Sequence, residues 1–452
     1  MVTEVNNLLW GYLLIFLLAG TGIYFTVRLR FVQVRRFKQS VWLAFGGKKG
    51  GKADGKGMSS FQSLTTAIAA QVGTGNLAGA ATAIAAGGPG AIFWMWITAF
   101  FGMGTIFAEA VLAQEYKENI NGQVRGGPAF YLSKGVGSKG LAVFFAVSII
   151  IALGFIGNMV QANSIGHAFD TAFGVNPLVI GIVLSCLAGL IFRGGVRSIA
   201  SFTSKVVPFM ALLYIAGSLW ILLTNLSAIG AGLKMIVVGA FDPMAATGGV
   251  LGVTIKEAVR YGVARGLFSN EAGMGSTPHA HAVAKVKHPV EQGTIAMFGV
   301  FFDTFIILTI TALVILTIPV DGSLTGIALT QGAFHASMGP FGDIFIAIAL
   351  LFFAFSTIIG WYFFGEANIR YLFRNEHAVV VYEWAVMACI IVGCALKVDL
   401  VWELADMFNG LMVLPNLIGL LLLAKVVSKR LDEFERLDQN VGRGNKQKII
   451  TH

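Results

Sequence analysis

The sequence predicts an all-α polytopic membrane protein of about eleven transmembrane helices, built as two five-helix repeats of inverted topology behind one extra N-terminal helix. Three observations predict it. Uncharged runs of membrane-spanning length recur along the chain, basic residues gather between those runs on alternate sides, and two glycine-interrupted spans stand 200 residues apart, at Gly73 and Gly273.

The runs follow from composition. Of 452 residues, 56% are hydrophobic and only 12% charged, a mixture from which no soluble surface can be built. Leu8–Val27, Ser59–Ala86, Leu141–Ala168, Val206–Leu226, Ile344–Gly365 and Met407–Ala424 are each long enough to cross a hydrocarbon layer of roughly 30 Å as a helix. Runs near 91–116, 177–192, 252–284, 293–318 and 378–396, each carrying one or two ionisable groups, complete the eleven. The first run is preceded by Glu4 and no basic residue, and no small-residue cleavage pattern follows it, so it reads as a retained helix rather than a signal sequence. Cys186, Cys389 and Cys394 all lie in apolar runs, where cysteine is a small buried hydrophobe.

A net charge of +9 would suit nucleic acid if it lay on one face, but it is dispersed between the spans. With the N-terminus outside the cell membrane and the C-terminus in the cytoplasm, the inward loops hold 27 of the 32 lysines and arginines, which is the positive-inside pattern. The expected organisation is an extra helix with a basic loop over 1–57, a first repeat over 58–228, a second over 244–425 and a tail over 426–452. The segment Gly46–Gly57 reads as a polar, glycine-rich linker in the first inward loop.

The repeat rests on the glycines. Gln71-Val72-Gly73-Thr74-Gly75-Asn76 interrupts the second span, and Ser269-Asn270-Glu271-Ala272-Gly273-Met274-Gly275-Ser276 the seventh. Each opens a set of five helices, and the first helix of each set starts on the opposite side of the membrane. Matched interruptions in inverted halves point to the binding site of a secondary transporter. Breaking a helix at mid-depth frees N–H groups on one side and C=O groups on the other, and in hydrocarbon each costs several kcal/mol if left alone. A zwitterion and a cation satisfy both, since helix N-termini hold a carboxylate and exposed carbonyls hold an ammonium group or metal ion. Close helix packing is the competing explanation, and Gly75 with Gly79 fits it.

Glu109, Arg265, Glu271, Asp303 and Glu366 lie within apparent spans, where a charge costs about 2.5–3.5 kcal/mol, so each is a functional candidate. Arg265 and Glu271 flank the second break and are expected to pair with each other or with Glu109. Glu366 reads as a helix-end charge. Ser356 and Thr357 are adjacent hydroxyls in the ninth span, and Thr357 shares a face with Trp361, four residues on. Hydroxyls there either bond back to their own helix or supply uncharged oxygen to a hard cation. His279 and His281, two apart, face different directions and make no metal site. Neither a Ser/His/Asp nor a Cys/His set is visible, nor the continuous polar lining of a channel, so the chain reads as a transporter and not an enzyme.

These residues carry a resemblance. GTGNLAG from Gly73, GGPGAIFWMW from Gly87, GGPAFY from Gly126, GVARGLFSNEAGMGS from Gly262, Asp303-Thr304 and FFAFSTIIGWYFFGE from Phe352 closely resemble the alanine or glycine:cation symporters of the amino acid, polyamine and organocation superfamily. The resemblance runs over nearly the whole chain. It implies the fold of the bacterial leucine transporter with one helix added in front, and sodium-coupled uptake of alanine or glycine; a proton is the alternative coupling ion. It implies that the backbone of Thr74 and Gly75 holds the substrate carboxylate, that Gln71 and Asn76 lie beside its amino group, and that Ala69, Val72, Ser356 and Thr357 hold sodium. Asn270, Glu271, Gly273 and Met274 are assigned to the substrate site by location only, and Gln161 more weakly. Phe268, Met274, Ile358 and Trp361 are expected to limit the pocket to about a methyl side chain. Beyond sodium, substrate and the lipid bilayer, no organic cofactor, nucleic acid or obligatory protein partner is expected.

Overall fold

The computed structural model describes residues 2–46, 57–242, 254–396 and 398–450. Nearly all of the glycine-rich linker lies outside the described residues. Helix α1 is Val2–Arg28, α2 is Phe37–Gly46, and the first interrupted span is α3, Ser60–Gln71, followed by a π-type turn Gly75–Gly79 and α4, Ala80–Gly87. Helix α5, Gly90–Glu115, leads to a hairpin of β1, Glu118–Ile120, and β2, Gln123–Arg125, paired antiparallel with Glu118 opposite Arg125. Then come α6, Lys139–Phe173, α7, Pro177–Phe192, α8, Gly195–Thr224, and α9, Leu226–Gly239. The second interrupted span is α10, Ile255–Asn270, and α11, Pro278–Val283. After it follow α12, Pro289–Thr317, α13, Gly326–Met338, α14, Pro340–Phe373, α15, Glu376–Ala395, α16, Val398–Leu422, and α17, Ala424–Ile450.

Eight helices among the described residues are long and apolar enough to cross a membrane: α1, α5, α6, α8, α12, α14, α15 and α16. The other three predicted spans are the short apolar α7 and the two interrupted helices. Helices α9 and α13 were not foreseen, because neither reaches spanning length.

Both interrupted spans begin alike. Ser59 accepts from the Gln62 amide at 3.2 Å while Gln62 bonds back to the Ser59 amide at 3.0 Å, and Thr254 and Glu257 repeat that reciprocal cap in front of α10. Each cap satisfies orphan N–H groups at a helix start. In the packing, α5 lies on α12, α6 on α14 and α7 on α15. The extra helix α1 packs on α5 and α16.

Two expectations about charges are corrected here. Arg265 pairs neither with Glu271 nor with Glu109; it forms a two-pronged bridge to Asp406 on α16, at 2.7 and 2.8 Å. Residues six apart on a helix point to different faces, and Glu271 already lies beyond the last helical residue. Nor is Glu366 a helix-end charge. It is 5% exposed and clamped between Arg125 from β2, at 2.8 Å, and Arg370, at 2.5 Å, so the hairpin is riveted to α14. At the hairpin's start burial works against the Glu118 carboxylate, but Lys134 at 3.0 Å and Arg374 at 3.1 Å outweigh it and hold the group below its ordinary range.

Candidate functional site

The two breaks contain the same G-x-G signature for different physical reasons. In the first, α3 ends because Val72 leaves the helical region (φ −85°, ψ 85°) and the Gly73 amide turns back to Gln71. The glycines there provide room. A Cβ on Gly73 would stand 2.4 Å from Thr357 Oγ1 and 3.1 Å from Gln161 Oε1, and one on Gly75 2.8 Å from the Ser269 Cα. Gly75 therefore lets the two broken spans touch backbone to backbone. In the second break the glycines provide conformation: Gly273 and Gly275 have φ of +93° and +80°, which side chains oppose. Glu271 has φ +57° without being glycine, a costly setting of the kind kept at working sites.

The freed backbone groups have identifiable partners. The Thr74 amide donates to Gln161 Oε1 at 3.2 Å, and the Gly73 amide to Asn76 Oδ1 at 3.2 Å. Across the second break Glu109 accepts from the Gly273 and Gly275 amides at 3.1 and 2.9 Å, and Asn416 donates to Glu109 at 2.6 Å and to the Gly273 carbonyl at 2.9 Å. Glu109 is thus the side chain that the second break's backbone donors hold. Two atoms of the first break, Gln71 Oε1 and Thr74 Oγ1, are buried without a protein partner, the condition expected of groups that await a ligand.

The breaks are also joined to each other. Gln71 Nε2 donates to the Asn270 carbonyl at 2.8 Å. Asp303, on a π-type turn Phe302–Leu308 within α12, accepts from Asn76 at 2.8 Å and from the Ser269 hydroxyl at 3.0 Å, while Asn270 donates to Thr304 at 3.2 Å. π-turns inside α-helices are frequent at functional sites. Glu271 accepts from the Ser276 hydroxyl and the Trp361 indole, both at 2.5 Å. Among the described residues, none of Glu109, Glu271 and Asp303 meets a lysine or arginine, and all three are fully buried.

On α14 the Thr357 hydroxyl lies 2.8 Å from the Ala69 carbonyl and the Ser356 hydroxyl 3.5 Å from it; both also bond back to Phe353. Three oxygens from α3 and α14, the Ala69 carbonyl and the two hydroxyls, therefore converge. Trp361 crosses Phe268 edge to face at 5.7 Å, and Phe268 leans on Trp402 at 5.0 Å. Met274 and Ile358 are buried, but neither is among the polar contacts that join the breaks. His279 bonds Ser276 and Asn368 while His281 bonds Gln292, so the two rings serve different neighbours.

The structure thus brings Ala69, Gln71, Thr74, Gly75, Asn76, Gln161, Phe268, Asn270, Glu271, Ser356, Thr357 and Trp361 into one buried region. Ser269 and Thr304 stood in quoted motifs but were given no role, and Asp406 and Asn416 were missed in the sequence. Asn416 left a signal, as one of two amides, with Asn409, in an otherwise apolar run.

The profile described as the sodium:alanine symporter family matches residues 1–448. The sodium/alanine symporter AgcS of Methanococcus maripaludis is 43% identical over 451 residues, covering 97% of this chain and 98% of its own. The probable sodium/glutamine symporter GlnT of Bacillus subtilis is 45% identical over 435 residues, covering 95% and 89%. Among solved structures, that of MhsT in complex with L-phenylalanine matches with a TM-score of 0.59 at 14% identity, covering 83% of this chain and 98% of that one. At such identity the likeness concerns the fold alone. With a profile match along almost its full length and relatives above 40% identity, the chain belongs to the sodium:alanine symporter family, and is a multi-pass, sodium-coupled amino-acid symporter rather than an enzyme.

Proposed function

We propose that the protein carries alanine or glycine into the cell together with sodium, by alternating access between two inverted five-helix halves over 58–228 and 244–425. The N-terminus is outside, the tail over 426–452 is cytoplasmic, and eleven spans cross the membrane. The packing of α5 on α12, α6 on α14 and α7 on α15 supports the repeat. The observation that carries the reading is the convergence of the Ser356 and Thr357 hydroxyls on the Ala69 carbonyl, beside a break whose glycine leaves no room for a side chain. Hard cations take oxygen ligands, and hydroxyls with carbonyls supply them without a buried charge. Sodium there replaces hydrogen bonds that the hydroxyls otherwise make to α3, and with the Val72 carbonyl it ties α3 to α14. In the substrate site the Thr74 amide, now held by Gln161, turns to the substrate carboxylate when Gln161 gives way, and Thr74 Oγ1 and Gln71 Oε1 gain partners.

Coupling is tested by alanine-stimulated flux of radiolabelled sodium into liposomes at equal pH on both sides. Stoichiometric flux is expected, and Thr357→Ala should raise the sodium concentration for half-maximal uptake by about tenfold, the coupling of a lost ligand worth 1–3 kcal/mol. By reciprocity, sodium affinity with and without alanine should differ less in the variant than in the wild type. Buried Asp303 and Glu271, with only neutral donors around them, favour proton coupling as a second reading. Uptake that ignores sodium and stops when a proton gradient is dissipated would establish that reading instead.

Size selection is assigned to Trp361, held in place by Glu271 and Phe268. Trp361→Ala should let 2-aminobutyrate compete with alanine about tenfold better, since a methylene changes discrimination by about 1–3 kcal/mol. Trp361→Phe keeps most of the bulk and should keep the preference. Competition assays that find both variants as selective as the wild type would place the filter elsewhere.

A further inference from the structure

Beyond the transport site, the start of α17 is built as a basic groove. Its buried stripe, Val427, Leu431 and Phe434, seals the helix onto the protein, and α17 packs on α5 and α12. The opposite stripe, Lys425, Lys429 and Arg436, is exposed. These side chains and Arg28, at the end of α1, line an open groove of about 900 Å³.

The acidic residues of the groove are already engaged. Arg28 bonds Ser428 at 3.0 Å, and Arg430 forms a bridge to Glu115 at 2.5 Å. Of the acids on its wall, Asp432 is paired with Arg30, and Glu433 with Arg430 at 2.8 Å. Among the described residues Lys425 and Arg436 form no ion pair, and Lys429 only helps Arg430 to hold the Glu433 carboxylate below its ordinary range. Immediately beside the groove α1 and α16 pack together and turn Val27, Leu421 and Leu422 outward, 61%, 40% and 61% exposed. Apolar surface that runs straight into a cleft where five basic side chains face two acidic ones matches both ends of a phospholipid.

We propose that this groove binds the phosphodiester headgroup of an anionic phospholipid, such as phosphatidylglycerol, with its acyl chains along the seam of α1 and α16. Basic pockets at the cytoplasmic end of membrane helices hold such headgroups. The orientation proposed above puts the lipid in the inner leaflet, but binding itself does not depend on that orientation.

The test is retention of lipid by the purified full-length protein, measured by native mass spectrometry after incubation with equal amounts of phosphatidylglycerol and phosphatidylcholine. The wild type should retain phosphatidylglycerol preferentially. Lys425→Gln/Lys429→Gln/Arg436→Gln should reduce that preference by about tenfold or more, as removal of three basic contacts predicts. Arg28→Gln should reduce it in part. The charge-matched control Lys38→Gln/Lys139→Gln/Lys205→Gln, at exposed sites elsewhere, should keep it, and so should the wild type in millimolar inorganic phosphate. Equal loss in groove and control variants, no preference in the wild type, or displacement of the lipid by inorganic phosphate would each overturn the proposal. Sodium-driven uptake by the groove variant reads the transport site separately, so failure of one reading is distinguishable from failure of the other.

Discussion

Gly73→Ala is expected to abolish sodium-driven uptake while leaving the protein inserted and monodisperse. The added methyl has no direction in which to go: Thr357 Oγ1 lies 2.4 Å from where the new Cβ would be, and Gln161 Oε1 3.1 Å. Ordinary contact needs about 1 Å more on the Thr357 side, and close-packed interiors do not yield that much without strain of about 1–3 kcal/mol. The atoms displaced are the hydroxyl of the proposed sodium shell and the amide oxygen that holds the Thr74 N–H, so one methyl strikes both binding sites at once. Titration of the purified variant with sodium and with alanine should show both affinities lost. Adding Thr357→Ala should relieve the collision and restore thermal stability, but not the sodium response. Wild-type uptake by Gly73→Ala would mean that α3 and α14 do not meet at this point in the transporting molecule.

Glu366→Gln is expected to be the most destabilising single change at the hairpin end of α14. One carboxylate holds two arginines there, and the side chains of Arg125 and Arg370 are 1% and 6% exposed. Arg370 retains Glu376, but among the described residues Arg125 keeps no other ion pair, only its bonds to Gln123 and the Val124 carbonyl and the more distant field of Glu376, with the Phe363 ring 5.3 Å away. Removing one member of a buried pair costs about 3–5 kcal/mol because the other charge stays behind, whereas replacing both with apolar residues is often neutral. The melting temperature in detergent should fall clearly for Glu366→Gln and recover in Arg125→Met/Glu366→Met. Equal melting of the single variant and the wild type would show that water, not Glu366, compensates Arg125.

The broken spans and the residues beside them were legible because membrane proteins write these features in one dimension. A glycine pair inside an apolar run, or a carboxylate within a span, is costly wherever it sits. That is why Gly73, Gly273, Asp303, Glu109 and the hydroxyl pair could be named before any contact was known. Their partners could not. The same G-x-G serves room alone at 73–75 but positive φ, with room besides at Gly275, at 273–275, and sequence carries no mark to tell these apart.

By itself the sequence determined the class of molecule, its interrupted spans and the dispersal of basic charge between them, since each depends only on the local cost of placing a residue in hydrocarbon or water. Tertiary structure alone decided which group answers which. Arg265 meets Asp406 and not Glu271, Glu109 fills the second break, and Glu366 is locked between two arginines. These pairings join residues more than a hundred positions apart in all but the Arg370 contact, and helix packing chooses among such partners by shape, which no local pattern records.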